Sequence, residues 1–370
     1  MSSERLTMHI IMIGPRELYP RPKAGLDFYV RELSHHLAVE GHKVTIYCHH
    51  HDASFSLPLG ITVKTVWAPK KHHFDTFCYG LFASLASLWH KDAVVHYHGG
   101  SALFAWIPRM FRKKTFLTIH SREWRAPHIP RLNRFFYFLG EWVGVKSVNT
   151  ASTVSQTLQK ELETEYKKPV SAIPPGMTVK YCTTTNELIA LGLRPKNYLL
   201  FLGRIEKGKG VEILLEAFKT SNPKMPYPLV IAGAPLHDNA YLQKLKRSAP
   251  SDVLFVGLVF GVLKEELLTN ALLYIQASQS EGLSISLLEA MSCGCPVLAS
   301  DIRQNREAAD STGYFFQNGN TEDLSRKLQR LLAEPQQLKE AGEKGRTKIE
   351  TDYAWSRIYP SLMKWYDTPL

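Results

Sequence analysis

The sequence predicts two α/β units in tandem, each a parallel sheet covered on both faces by helices. Three observations lead there. Short apolar runs alternate with amphipathic helical patterns from one end of the chain to the other, as in strand–helix–strand architectures. The chain has 370 residues, too many for one ordinary core and right for two domains. A single polar stretch, residues 178–197, interrupts the alternation after the turn Pro174-Pro175-Gly176.

In the first unit the strand-like runs are residues 9–14, 43–48, 61–67, 93–97, 115–120 and 147–154. In the second they are residues 198–203, 229–233, 253–256, 272–276, 296–300 and 313–316. Helical patterns lie between them. Residues 26–40 place Leu26, Tyr29, Val30, Leu33 and Leu37 on one face, and Gly41 is positioned to end that helix. The spacing therefore assigns residues 1–180 to one domain and 195–352 to the other. In such folds ligands meet the loops at the C-terminal ends of the strands, so those loops are where chemistry is sought.

Composition narrows the function. Hydrophobic residues make up 44% and charged residues 21%, with no low-complexity tract, which reads as globular throughout. The longest uncharged apolar stretch, residues 79–89, is about half of what a bilayer span requires. The N-terminus shows no apolar leader segment. The expected location is cytoplasmic. Five cysteines at scattered positions form no disulfide framework, and Cys293-Gly294-Cys295 is too tightly spaced for a zinc knuckle. The runs His49-His50-His51 and His72-His73 have no carboxylate or cysteine at useful spacing and read as loop-surface histidines. No metal or cofactor is expected. The formal charge of +11 favours anionic partners, and no nucleic-acid-binding signature accompanies it, so nucleic acid is not an expected partner.

Two segments of the second unit carry candidate chemistry. After the strand at 198–203 comes Gly203-Arg204-Ile205-Glu206-Lys207-Gly208-Lys209-Gly210, leading into a helix over 211–218. Its glycines let backbone approach a ligand, and Arg204 and Lys209 offer charge to an anion near a helix N-terminus. This outlines a diphosphate site, although the segment alone reads equally well as a solvated basic turn. It is no P-loop, since the Gly-Lys-Ser/Thr ending is missing. The second segment is Glu281-Gly282-Leu283-Ser284-Ile285-Ser286-Leu287-Leu288-Glu289. With a helix starting near Ser284, Glu289 lies ~7.5 Å along it, too far to share one carbon with Glu281. The two carboxylates suit separate hydroxyl-rich parts of one elongated ligand. Alternatively, Glu281 is only an N-terminal charge and Glu289 a surface residue. Glu289 sits within the apolar run Leu287, Leu288, Ala290 and Met291, however, and a buried carboxylate needs a partner.

Taken together, Gly203-Arg204…Lys209-Gly210, the Glu281 and Glu289 pair, Ala290-Met291…Gly294…Pro296-Val297, and Glu307 followed by Gly313 resemble the retaining glycosyltransferases of the large family 4. That family has two Rossmann-like domains in the fold called GT-B. The first half is similar more loosely, through Ala24-Gly25 with Asp27 where a Glu is usual, and through Thr118-Ile119-His120 with Ser121 where an Asp is common. The resemblance implies that Arg204 and Lys209 bind the diphosphate of a nucleotide sugar, Glu289 its ribose, and Glu281 with the amides of Gly282, Leu283 and Ser284 its sugar. It implies donor contact at Gly25 and a sugar contact from His120. It also implies transfer of a hexosyl or deoxyhexosyl unit to a glycan or lipid-linked acceptor, with retention and without a bound metal. The last segment, residues 353–370, resembles a helix that returns to the first domain.

Other readings fit less well. A nicotinamide-dependent oxidoreductase needs a Gly-x-Gly-x-x-Gly after the first strand, which here ends Ile13-Gly14-Pro15-Arg16. A catalytically silent sugar-nucleotide-binding subunit would not need both the basic turn and the Glu pair intact, and a sugar-nucleotide epimerase of the same fold lacks the ordered set of pieces. The segments Ser121-Arg122-Glu123-Trp124-Arg125 and Asp301-Ile302-Arg303-Gln304-Asn305-Arg306-Glu307 resemble parts of surface-polysaccharide transferases. Finally, Arg109, Arg112, Lys113, Lys114, Arg131 and Arg134 interleave with Trp106, Phe111, Phe135, Phe136, Tyr137 and Phe138, which suits an anionic membrane surface. Phe111 and some of the aromatics at 135–138 are expected to contribute to the core.

Overall fold

The structure, a computed structural model, describes residues 7–19, 25–52, 55–69, 75–125, 129–221, 226–235 and 239–369. The expectations at Ala24 and at His72-His73 lie outside the described residues. The chain divides into two compact units. One runs to Gly176 and takes in the residues from Ile358 onward, and the other is Met177–Arg357.

The first unit is built on seven parallel strands: β1 (His9–Ile13), β2 (Lys43–Cys48), β3 (Ile61–Thr65), β4 (Ala93–His98), β5 (Thr115–Ile119), β6 (Thr150–Thr153) and β7 (Val170–Ala172). Their order in the sheet is β3-β2-β1-β4-β5-β6-β7. Alternate side chains point to opposite faces. Ile11, Ile13, Val95, Tyr97, Leu117 and Ile119 pack with Tyr79, Ala83 and Val145 from the helices Asp75–Ser87 and Arg131–Ser147. The opposite face carries Ile10, Met12, His96, His98 and Phe116, all buried. Trp365 and Tyr366, from the helix Trp355–Tyr366, pack edge-on against Phe116 on that face.

The helix expected at 26–40 runs Gly25–Val39 and buries Tyr29, Val30, Leu33 and Leu37. Gly41, at φ +90°, ends it: the Gly41 amide donates to the Ala38 carbonyl and the His42 amide to that of Leu37, the paired closure that a left-handed residue permits. Two expectations need correction. The strand placed at 147–154 begins only at Thr150, because the helix Arg131–Ser147 keeps its buried stripe of Gly140, Gly144 and Val145 to its last turn. The short edge strand β7 was not anticipated; three residues are too few for an alternation to show.

The second unit has six parallel strands: β8 (Leu199–Leu202), β9 (Leu229–Ala232), β10 (Val253–Gly257), β11 (Leu273–Gln276), β12 (Val297–Ser300) and β13 (Tyr314–Phe316), in the order β10-β9-β8-β11-β12-β13. Phe201, Ile231, Ile275, Leu298 and Phe316 meet Leu214, Phe218 and Leu328 in its core. In both sheets the winding reverses once, between β1 and β4 in the first and between β8 and β11 in the second. The polar stretch 178–197 belongs to this second unit.

Candidate active site

The strand reversal between β8 and β11 leaves a gap above the C-terminal ends of those two strands, the place where ligands bind in open α/β sheets. Two loops enter it. The turn after β8 is anchored by Ile205, 2% exposed and part of the core, which leaves Arg204 and Glu206 on either side partly in solvent. Arg204 Nη2 lies 3.1 Å from Glu206 Oε1. The turn closes through Gly210, at φ +64°, where a Cβ atom would stand 2.1 Å from the Ala277 carbonyl oxygen. Glycine is therefore required there by packing against the β11 loop, in addition to any ligand. A backbone bond from the Gln279 amide to the Gly208 carbonyl, 3.0 Å, ties the two loops together.

Across this tie Lys209 Nζ donates to Glu281 Oε1 at 2.6 Å. Both side chains are largely buried, at 18% and 10% exposure. The same carboxylate oxygen accepts from Gln276 Nε2 at 2.9 Å, and Gln276 is held in turn by the Tyr274 hydroxyl, which donates to its Oε1 at 2.5 Å. Gln276 and Tyr274 are buried, and burial pushes the Tyr274 phenol up, so it stays protonated as a donor. The sequence pattern did not single out Gln276. A buried amide at the last position of an apolar strand is the signal that finds it.

Ser284 caps the helix Ile285–Ser292: its hydroxyl accepts the Leu287 amide at 3.3 Å, with Gly282 and Leu283 buried just before it. Glu289, 8% exposed, lies on this helix as the periodicity required. The partner that its burial demands is Lys264, whose ammonium donates to Glu289 Oε1 at 2.6 Å. Arg204 joins neither carboxylate; it is paired with Glu206. Cys293 and Cys295 are buried, with both thiols pushed up by burial, Cys295 to about 12, in the turn that follows this helix.

The other reversal, between β1 and β4, gathers the imidazoles of the first unit. His120, just past β5, shares a hydrogen bond with His98 at the end of β4, 3.1 Å between His120 Nε2 and His98 Nδ1, and packs edge-on against Tyr29. His96 bonds Tyr366 through Nδ1 and Thr118 through Nε2, each at 2.7 Å. Burial lowers His96 and His120 to about 3 and carries His98 well below the ordinary value, so all three are neutral at physiological pH. Gly25 is the exposed first residue of its helix. Asp27 is buried, and its carboxylate accepts the Arg16 amide at 2.9 Å.

Comparison with known proteins fits this arrangement. The family model described as Glycosyl transferases group 1 matches residues 189–348, and the one described as Glycosyltransferase Family 4 matches residues 24–181. The chain is a glycosyltransferase of the GT-B fold. It is 24% identical over 389 aligned residues to the D-inositol 3-phosphate glycosyltransferase of Jonesia denitrificans, covering 93% of this chain and 91% of that protein. It is 31% identical over 174 residues to the phosphatidyl-myo-inositol mannosyltransferase of Propionibacterium freudenreichii, covering 45% of this chain and 42%, less than half, of that relative. The solved structure of Anabaena Alr3699/HepE in complex with UDP and glucose superposes with a TM-score of 0.80 at 15% identity, over 98% of this chain and all of the other.

In this glycosyltransferase the segment after His120 is fixed by a buried ion network. Arg122 Nη2 lies 2.5 Å from Glu141 Oε1 and Nη1 lies 2.6 Å from Glu165 Oε2, while Trp124 Nε1 and the Tyr166 hydroxyl also donate to Glu141. The basic and aromatic set is sorted by the structure. Lys113 is 8% exposed, with its ammonium on the carbonyls of His90 and Lys91, and Arg109 and Arg134 donate to the carbonyls of Ser147 and Trp124. Arg112 and Arg131 remain exposed. Contrary to expectation Phe111 is not core: it follows the short helix Trp106–Met110 at a turn and is 66% exposed. Phe138 packs against Trp124, whereas Trp106, Met110, Leu132 and Phe135 face solvent.

Proposed function

We propose that this glycosyltransferase moves a hexosyl or deoxyhexosyl unit from a nucleotide-diphosphate sugar to a glycan or lipid-linked acceptor, with retention, in surface-polysaccharide synthesis. The observation that carries the donor reading is the Lys209–Glu281 pair seated at the β8/β11 reversal, cation and carboxylate side by side beside a capped helix N-terminus. In this reading Lys209 and Arg204 take the diphosphate, and Glu289 takes the ribose. Glu281, with the amides of Gly282, Leu283 and Ser284, takes the sugar; Gly25 and His120 complete the donor contacts.

The chemistry follows from charge. The acceptor oxygen bonds to the anomeric carbon as the bond to the β-phosphate oxygen breaks, and the acceptor proton passes to the departing diphosphate. Negative charge grows on the phosphate and positive charge on the sugar ring, so fixed cations at the one and a carboxylate at the other both favour the transition state. Arg204 and Lys209 then do the work that a metal would do elsewhere, and Glu281 acts as a positioner and electrostatic stabiliser.

The chain further attaches to the cytoplasmic face of an anionic membrane through the first unit. Support comes from the exposed Trp106, Met110, Phe111, Leu132 and Phe135 beside Arg112 and Arg131. Among the described residues no helix is long and apolar enough to cross a membrane, so attachment would be at the surface.

Product analysis with labelled nucleotide sugars, with and without acceptor glycans, tests the transfer. Label appearing in the acceptor supports the reading. Label that stays with the nucleotide, unchanged or epimerised, refutes it.

A further inference from the structure

We propose that a groove of about 860 Å³ between the edge strand β3 and the helix Asp75–Ser87 seats one anionic phospholipid of the bilayer, its acyl chain on Trp67, Phe82 and Trp89 and its phosphate at Lys64 and His90. The groove lies two strands away from the β1/β4 reversal and shares no residue with the candidate active site.

The walls carry exposed aromatic side chains. Trp89 is 82% exposed, Trp67 68% and Phe82 40%, and Trp67 meets Phe82 edge to face with ring centres 5.8 Å apart. Indoles carry a large apolar area that a water-facing site leaves unsatisfied. Nor does the helix carry the polar outer face that a water-facing helix needs: from Thr76 to Trp89 the sequence has no charged residue. Phe77 and Leu85 on the same helix are exposed as well.

The polar end of the groove carries Lys64, exposed on β3, and His90. His90 Nε2 shares a hydrogen bond with the Tyr47 hydroxyl at 3.1 Å. Burial, and after it the ammonium groups of Lys64, Lys43 and Lys113, hold His90 below its ordinary value, so it offers the phosphate a neutral ring beside the charge of Lys64. The groove thus presents apolar walls and the Lys64 ammonium in one cavity. Inorganic phosphate would satisfy Lys64 and leave the indoles in water. A neutral lipid would do the reverse. An acyl chain joined to a phosphate satisfies both.

The surroundings point to a bilayer as the source. The helices Asp75–Ser87, Trp106–Met110 and Arg131–Ser147 pack in succession, and they carry or adjoin the exposed Trp106, Phe111 and Phe135. The inference rests on the membrane attachment proposed above and is independent of the transferase reading, because its assay needs neither donor nor acceptor.

The test is co-sedimentation of the full chain with vesicles of equal phosphatidylglycerol and phosphatidylcholine, and with phosphatidylcholine alone. Trp89→Ala is expected to lower affinity for the anionic vesicles roughly tenfold and Lys64→Ala about fivefold, with unchanged thermal unfolding. Because Trp89 is mostly exposed, its replacement leaves the fold intact. If both variants bind the anionic vesicles as the unsubstituted chain does, the groove assignment falls and the broader membrane attachment stands. If the unsubstituted chain binds neither kind of vesicle, both fall. If Trp89→Ala dissolves a dimer without changing vesicle binding, the groove holds a second copy of the chain and the lipid assignment is overturned.

Discussion

Replacing Glu281 by Gln removes a negative charge 2.6 Å from the Lys209 ammonium and keeps an oxygen to accept from Gln276. In the ligand-free protein that ammonium is already neutralised. A diphosphate arriving at Lys209 must share it with Glu281, at a cost set by the environment of the pair. Exposed ion pairs are worth about 0–1 kcal/mol, and fully buried ones lose about 3–5 kcal/mol when broken. At 18% and 10% exposure this pair lies toward the buried end, but a diphosphate keeps the lysine paired, so only part of that coupling is lost. Glu281→Gln should therefore bind free nucleoside diphosphate as tightly as the natural chain, or up to about tenfold more tightly, the equivalent of ~1.4 kcal/mol. Turnover should meanwhile fall at least about a hundredfold, as when a group facing transition-state charge is removed. Lys209→Ala should weaken the diphosphate roughly 30-fold or more, since truncating one partner of a desolvated charge pair costs about 2–5 kcal/mol. Calorimetric titration of both variants, alongside initial rates of transfer, separates these effects. If Glu281→Gln lost diphosphate affinity as badly as Lys209→Ala while both remained folded, the division of roles at the β8/β11 reversal would be wrong.

Other consequences follow from packing, charge and burial. Gly210→Ala places a methyl group 2.1 Å from the Ala277 carbonyl in a left-handed residue, so it should lower the melting temperature and weaken nucleoside diphosphate binding by displacing the turn. Arg122→Ala strands the Glu141 carboxylate, whose side chain is 6% exposed, and should cost about 3–5 kcal/mol in urea unfolding. His96, lowered to about 3 by burial, takes up its proton in the unfolded chain near its ordinary 6.5, so its contribution is complete above pH 6.5 and is lost as pH falls toward 3. At about pH 5 that loss is roughly 2 kcal/mol, and a His96→Gln variant should show a correspondingly flatter fall of melting temperature with acid.

Much of the fold was legible because most of the parallel strands are buried and read as continuous apolar runs, and twelve runs were visible in the spacing. Three-residue β7 was invisible for the same reason: too few positions to form a pattern. Glu289 announced its burial by standing among Leu287, Leu288, Ala290 and Met291, yet its partner Lys264 could not be found, since it lies on another helix and only the fold brings them together. Likewise Arg204, Lys209 and Glu281 stood out in the sequence, but their contacts did not: Glu281 sits on the lysine, and Arg204 on Glu206. Within the basic cluster the sequence could not separate residues that face water from those that, like Lys113, close on backbone carbonyls.

If the Gly203–Gly210 turn holds the diphosphate of a nucleotide sugar through Lys209, thermal-shift titration of the natural chain and Lys209→Ala with a panel of nucleoside diphosphates tests it most directly. At about 100 times its dissociation constant a bound diphosphate should stabilise the natural chain by about 2.7 kcal/mol, and the same concentration should stabilise Lys209→Ala far less. Stabilisation of both proteins alike, or of neither by any member of the panel, would contradict the account.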